Sequence, residues 1–374
     1  MPPSSHPSST SRAPSSTLPR VASLDALFEE AGLTRHPRRP QSHRARPVRL
    51  DRQAPEELAP PRPTTRRADN GVEWLPIPGW DLPWLWNGFS TRKGGVTRAY
   101  CADGAPGLPA VAGELNLGFT ADDRRANVVR NRRLLAEAVT GDARTPIVAL
   151  KQFHSNLVVD ATRSDIDRPT PRRADGQITA EPGFLLAVQT ADCIPVLVAD
   201  RRQRIVAAFH AGWRGTAKRI VETGIGHMRL IYGSRPRDLI AAIGPGACAC
   251  CYAVGEELVS EFESQFSYAP DLFHEVFNSD PIKKKYPMLF LTQRAPGHSP
   301  IGPSLHVDLI EANRRQLLDC GLAPRAIQIV PGCTQCQSDL FFSHRASQGR
   351  AGRMMAVIGI RDEGSGSPGR ADRK

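Results

Sequence analysis

No run of apolar residues in this chain approaches the roughly 18–20 that a membrane-spanning helix needs, so helical membrane insertion is not expected. The opening MPPSSHPSST has no apolar h-region, which argues against a secretory signal. The stretch up to Leu24 is Ser/Arg-rich and poor in acid, like an organelle transit peptide, but its prolines oppose the amphipathic helix such peptides need. There are no internal repeats. No glycine-rich nucleotide fingerprint is present either, since the turn Ile243-Gly244-Pro245-Gly246 is too short for one. A spaced disulfide framework is also missing: of eight cysteines, three crowd into ACACCY, residues 247–252. The protein is therefore expected to work in a reducing cytoplasm, with thiols free for metal binding or catalysis.

Charge of one sign is abundant but poorly focused. The formal net charge is +11 and the isoelectric point near 9.6. Residues 1–70 hold 12 Lys+Arg against 7 Asp+Glu and residues 361–374 hold 4 against 3, so the 290 residues between carry a surplus of only 5. That stretch has no basic stripe interleaved with aromatics, so no nucleic-acid partner is expected. Hydrophobic content is 40% and charged content 23%, enough for a large globular core.

Residues 1–70 contain 12 of the 33 prolines and almost no aromatics. Such a segment buries too little apolar surface to offset its ordering entropy and is expected to be a disordered Pro/Ser/Arg-rich arm. Its exception is SLDALFEEAGL, Ser23–Leu33, where Ser23 suits an N-cap and Leu24, Leu27 and Phe28 share one helical face. Residues 71–360 read as a single α/β domain in which strands alternate with helices, and residues 361–374 as a flexible tail. The pattern predicts a helix over 124–139, two strands meeting near His154, two buried strands interrupted at 190–193, and a buried strand ending at FHAGWRG. It also predicts one helix of about 14 residues closed by Gly233, a strand over 239–247, a helix ending at Gly321 and a closing strand MMAVIGI.

Three groups interrupt apolar runs at expected strand ends: His154 in QFHSN, Cys193 in TADCIPV and His210 in FHAGWRG. Any one of them taken alone is more simply a satisfied core residue. Together, two imidazoles and a thiolate form a three-ligand set suited to zinc with a fourth position open, the arrangement of a catalytic site. A metal-free hydrolase with Cys193 as nucleophile and His210 as base remains an alternative at this level.

The order of motifs supplies more. FSTRKGGVT, ELNLGF, QFHSN, TADCIPVLVAD, FHAGWRG, IGPGACACCYAVGEE, HVDLIEANRRQLLDCG, CTQCQSDLFFSHR and GRMMAVIGI follow one another over roughly residues 75–360. In that order they resemble the multicopper polyphenol oxidoreductase, or laccase-like, family, now associated with purine nucleoside phosphorolysis and adenosine deamination. The resemblance implies a layered α/β sandwich with mixed β-sheets, similar to the fold of cysteine deamidase toxins. It implies Zn2+ (copper being the alternative metal) on His154, Cys193 and His210, and purine nucleosides and phosphate as partners. It also implies phosphorolysis of adenosine, inosine and methylthioadenosine and deamination of adenosine. Peptidoglycan editing in the cell envelope and copper-dependent polyphenol oxidation are further family associations. The chain departs from the family's Q-V-H-G at the first ligand, reading Gln152-Phe153-His154-Ser155.

Around this set, Arg214 lies in a Gly-flanked turn at an expected helix start and is a candidate phosphate ligand, as are Arg92 in STRKGG and Arg345 in FFSHR. Asp192, beside Cys193, suits either a partner that orients an imidazole or carries a proton, or a buried turn cap. Trp213 is a candidate to stack a purine. Cys333 and Cys336 form a lone CxxC with no second pair at zinc-ribbon spacing, so Cys336 is expected to be dispensable for metal binding, and the crowded ACACC to be packing or a secondary metal trap. The protein is expected to be a monomer or homodimer.

Overall fold

The segments 185–190, 194–200, 205–211, 239–243 and 354–360 are rich in Val, Ile, Leu and Ala at every position rather than at alternate ones. Such strands must be covered on both faces. The computed structural model, which describes residues 52–53, 58–101, 113–276 and 304–362, shows how this is done. All of these residues fall in one compact unit, Arg49–Lys374. One six-stranded sheet runs, in spatial order, Ile327–Ile329, Leu239–Ile243, Ile194–Asp200, Ile205–Ala211, Gly176–Thr179 and Val158–Asp160. A second runs Arg66–Arg67, Glu73–Leu75, Leu85–Ser90, Met354–Ile360, Leu185–Thr190 and Ile147–Ala149. Both mix parallel and antiparallel pairs. A small three-stranded sheet joins Arg52–Gln53, Phe273–Val276 and Ser304–Val307.

Alternation of side chains across each strand divides the apolar residues into layers. Leu197, Ala199, Val206 and Ala208 of the first sheet meet Leu186, Val188, Ala356 and Ile358 of the second in a shared core. The other face of the first sheet, with Val196, Val198, Ala207 and Phe209, is covered by the helices Ile220–Tyr232, Glu256–Gln265 and Leu309–Asp319. The outer face of the second packs Leu185, Ala187 and Val357 under Leu135 of the helix Arg125–Thr140. The result is a helix–sheet–sheet–helix sandwich, the α/β domain expected from the alternation, in the layered form that the family resemblance implied.

Two local expectations change. The single helix expected to run up to Gly233 is two: Trp213–Ala217, then Ile220–Tyr232. Arg219 between them has φ 60°, a left-handed conformation costly for a residue with a Cβ. Its guanidinium is anchored by Glu222 at 2.6 Å and lies over the Phe266 ring, which fixes the break. The fold also takes in residues that composition assigned to the arm. Arg66–Arg67 pairs with Glu73–Trp74, Arg62 bridges to Asp339, and Leu58 packs on the cysteines at 248, 250 and 333. The helix expected over Ser23–Leu33 lies outside the described residues. Deleting residues 1–70 should therefore lower the melting temperature by a few degrees relative to deleting 1–57, because it removes a strand and an apolar cover worth about 1–2 kcal/mol. Equal thermal melts for the two truncations would contradict this.

Candidate metal centre

The two sheets deliver the site from their strand ends. Cys193 lies in the short crossing from the second sheet (strand Leu185–Thr190) to the first (strand Ile194–Asp200). His210 is the penultimate residue of Ile205–Ala211, opposite Pro195 in the antiparallel register. His154 follows Ile147–Ala149, in the connection that leaves the second sheet for Val158–Asp160 in the first. Gln152 fastens that connection: its side chain donates to the Gln189 carbonyl at 2.8 Å and accepts from the Gln189 N–H at 2.7 Å. Two site residues lie in the left-handed region, His154 at φ 63° and Asp192 at φ 99°, so the backbone is strained where the ligands converge.

The geometry brings the three expected ligands together. One ligand atom from each of His154, Cys193 and His210 falls within 4.8 Å of the others. Cys193 Sγ lies 3.7 Å from His154 Nε2, and the two imidazole rings meet edge to face with centroids 5.0 Å apart. Gly212 makes the approach possible: a Cβ there would come within 2.8 Å of Cys193 Sγ and 2.9 Å of the His154 ring. The glycine of HAGWRG is thus required by the thiol and imidazole packed over it.

Asp175, which sequence reasoning missed, organises the set. It is fully buried at the start of Gly176–Thr179, and its Oδ1 lies 2.8 Å from His210 Nδ1. The same carboxylate accepts the backbone N–H groups of Phe153, His154 and Ser155 at 2.7–3.2 Å and the Ser155 hydroxyl at 2.7 Å. One carboxylate therefore fixes the His210 tautomer, with the proton on Nδ1 and Nε2 left for a metal, and also positions the turn that bears His154. The Ser155 hydroxyl adds a hydrogen bond to this network.

The electrostatics follow from these contacts. Burial alone would raise the Asp175 pKa, but the hydrogen bonds from His210 and Ser155 prevail and hold it well below the usual carboxylate range. Burial likewise opposes ionisation of Cys193, yet the His210 charge and hydrogen bonds from both imidazoles bring its thiol down to about 6. His210 is disfavoured as a cation by burial, but the Cys193 thiolate and Asp175 raise it to about 9. The donor set is thus two oriented imidazoles and a thiolate that is readily formed, which fits a zinc-class cation with an open fourth position.

The remaining candidates separate. Asp192 is a buried cap: its carboxylate accepts from the Thr334 hydroxyl at 2.7 Å and the Arg345 N–H at 2.8 Å, while Asp175 is the carboxylate on the imidazole. Arg214 is exposed, with its guanidinium 4.3 Å over the Trp213 ring. Arg345 donates to the Ala253 carbonyl and lies 4.5 Å over Tyr252, on the wall of a cavity of about 550 Å³ that Trp213, Tyr252 and Glu257 also line. Arg92 is already occupied: it pairs with Glu114, donates to the carbonyls of Ser338 and Tyr100, and stacks on Phe342 beside a different cavity. Tyr252 was also missed. Burial first, and then the Cys193 charge, push its phenol up to about 12, so it stays a neutral donor beside the site.

The family model for multi-copper polyphenol oxidoreductase laccase matches residues 87–361, a span that includes His154, Asp175, Cys193 and His210. The chain belongs to this family. Within it, the chain is 34% identical over 289 residues to the purine nucleoside phosphorylase YlmD of Geobacillus stearothermophilus, covering 74% of this chain and 90% of that protein. It is 34% identical over 302 residues to a purine nucleoside phosphorylase of Deinococcus radiodurans, covering 80% and 98%. It is 30% identical over 276 residues to adenosine deaminase RL5 of an unknown prokaryotic organism, covering 72% and 92%. The crystal structure of YlmD from G. stearothermophilus superposes with a TM-score of 0.62 at 30% identity, over 80% of this chain and all of that one. The mixed sandwich described above is therefore the fold of the laccase-like family.

Proposed function

We propose that the protein is a zinc-dependent purine nucleoside enzyme. In this reading it cleaves adenosine, inosine and methylthioadenosine with phosphate and also deaminates adenosine. The observation that carries the proposal is the convergence of His154, Cys193 and His210 on one point, with His210 held by Asp175 and three residues before Trp213, which lines a ligand-sized cavity. The names of the relatives support the substrate class. Zinc held by the three ligands would supply a Lewis acid that lowers the pKa of a water toward neutrality. Around it, Trp213 and Tyr252 offer flat faces for a purine, and the Tyr252 phenol donates a hydrogen bond. Arg214 supplies a guanidinium for phosphate. Copper is the alternative metal. Laccase chemistry is not favoured, because among the described residues only one of the two metal-competent clusters contains histidine. No helix among the described residues is long and apolar enough to cross a membrane.

A nucleoside panel assayed with and without phosphate tests the proposal, on protein of measured metal content. Free base is expected to appear only with phosphate, and inosine from adenosine in either condition. Arg214→Ala is expected to slow phosphorolysis roughly 10- to 100-fold, the worth of one charge-assisted contact, and deamination much less. Equal losses would assign Arg214 to structure, and base release without phosphate would make the enzyme a hydrolase.

A second reading has its own observation. In the metal-free site the thiol at about 6 and the imidazole at about 9 form the thiolate–imidazolium pair of a cysteine hydrolase. Chelator treatment separates the two: the zinc enzyme loses turnover and regains it on adding zinc, whereas a cysteine enzyme gains turnover when stripped.

A further inference from the structure

The family site leaves most of the cysteines unused, and four of them meet elsewhere. We propose that Cys250, Cys251, Cys333 and Cys336 bind a second, structural zinc ion as a closed tetrathiolate. Cys250 Sγ lies 3.6 Å from Cys333 Sγ and 3.5 Å from Cys336 Sγ, and Cys251 Sγ lies 3.1 Å from Cys336 Sγ. All four sulfurs fall within 4.8 Å of one another. A tetrahedral zinc with Zn–S of about 2.3 Å needs sulfurs about 3.8 Å apart, so the cluster already has the size of the coordination shell. A polynuclear iron–sulfur centre would splay its thiolates farther, since they ligate different iron atoms.

The backbone explains the convergence. Strands Leu239–Ile243 and Ile327–Ile329 are parallel neighbours at the edge of the first sheet, and an isolated parallel bridge between Gly246 and Cys333 extends their pairing. Each strand then releases a tight turn on the same side. In one, the Cys251 and Tyr252 N–H groups both bond the Cys248 carbonyl, which curls adjacent Cys250 and Cys251 toward the same point. In the other, Cys333-Thr334-Gln335-Cys336 closes with the Gln337 N–H on the Cys333 carbonyl. Cys248, also in this patch, donates to the carbonyls of Gly246 and Gly332 at 3.6 and 3.5 Å and is not among the four sulfurs that all fall within 4.8 Å of one another. The sequence showed one CxxC and a separate crowded run. Only the parallel strand pair reveals that they are two halves of one ligand set.

The ion would cross-link two turns that hold up the family site. Thr334, between two of the ligands, bonds the Asp192 carboxylate, and the Ala247 N–H bonds the Asp192 carbonyl at 2.7 Å, one residue from Cys193. Tyr252, next to Cys251, lines the 550 Å³ cavity.

The test uses the full chain purified under reducing conditions, with zinc measured by mass spectrometry. Wild type is expected to hold two zinc ions per chain, His154→Ala one, and Cys336→Ser one. Cys336 is the exposed ligand, so its replacement disturbs packing least, and Cys251→Ser provides a second variant. Independently of any cysteine change, cobalt loaded into His154→Ala protein should give the strong visible ligand-field and sulfur-to-cobalt bands of a tetrathiolate. Three results would overturn the proposal. One is a wild type holding a single zinc that His154→Ala removes. Another is a disulfide, seen as fewer than eight titratable thiols in denatured, unreduced protein. The third is visible absorption with acid-labile sulfide, which would mark an iron–sulfur cluster.

Discussion

Replacing Cys193 with alanine is expected to remove one metal ion per chain and to abolish turnover on purine nucleosides. The thiolate is the single anionic ligand of the His154–Cys193–His210 set, and without it two imidazoles and water hold zinc too weakly for catalysis. Alanine also leaves Gly212 facing a gap where the sulfur now sits against it, and water entering there would weaken the remaining contacts further. Chemical labelling gives a separate readout. In chelator-stripped wild type, Cys193 should alkylate with a midpoint near pH 6, because its thiolate is stabilised by His210 and His154. Zinc should protect it. A Cys193→Ala protein that keeps the wild-type metal content would dismiss the ligand assignment. Activity that survives metal removal in the wild type would instead favour the cysteine-hydrolase reading.

The ligands were legible in sequence because each breaks an apolar strand with a residue that the core does not otherwise need. His154, Cys193 and His210 stand out for that reason, and the α/β domain follows from apolar strands alternating with helices, whereas its layering into a sandwich came from the family resemblance. Contacts made across sheets were not legible. Asp175 looks like an ordinary turn residue in RADGQIT, and its role appears only when Ile205–Ala211 pairs with Gly176–Thr179 and brings His210 against it. Asp192 was the more conspicuous carboxylate, being adjacent to Cys193, but a left-handed backbone aims it at Thr334 and Arg345. In sequence Arg92 has the look of a phosphate ligand, whereas its charge is taken up by Glu114, 22 positions away. The four-cysteine cluster is hidden for a similar reason: a zinc ribbon repeats CxxC along the chain, while here the second pair of thiols is contiguous and meets the first across a sheet edge.

Asp175→Asn should weaken zinc binding about 10- to 100-fold and destabilise the metal-free protein by about 3 kcal/mol. The carboxylate accepts from His210 Nδ1, three backbone N–H groups and the Ser155 hydroxyl, all in a fully buried position. Asparagine keeps one acceptor oxygen but turns an NH2 toward donors, so at least one buried N–H loses its partner and the imidazolium loses its counter-charge. The loss should depend on pH in a direction fixed by the two pKa shifts. Asp175 is depressed below its unfolded value of 3.8, so its contribution is complete above that pH and drains away as pH falls toward the folded value. His210 is raised from 6.5 to about 9, so the share it owes to Asp175 is complete below 6.5 and is lost as pH rises through 9. The stability gap between wild type and variant, measured by denaturant titration with chelator present, should therefore be widest between about pH 4 and 6.5 and narrow on both sides. Zinc affinity is measured separately on folded protein well below the melting temperature. A variant that melts early but binds zinc with wild-type affinity would leave Asp175 a packing residue, and a gap that does not change with pH would show that its charge is not what His210 feels.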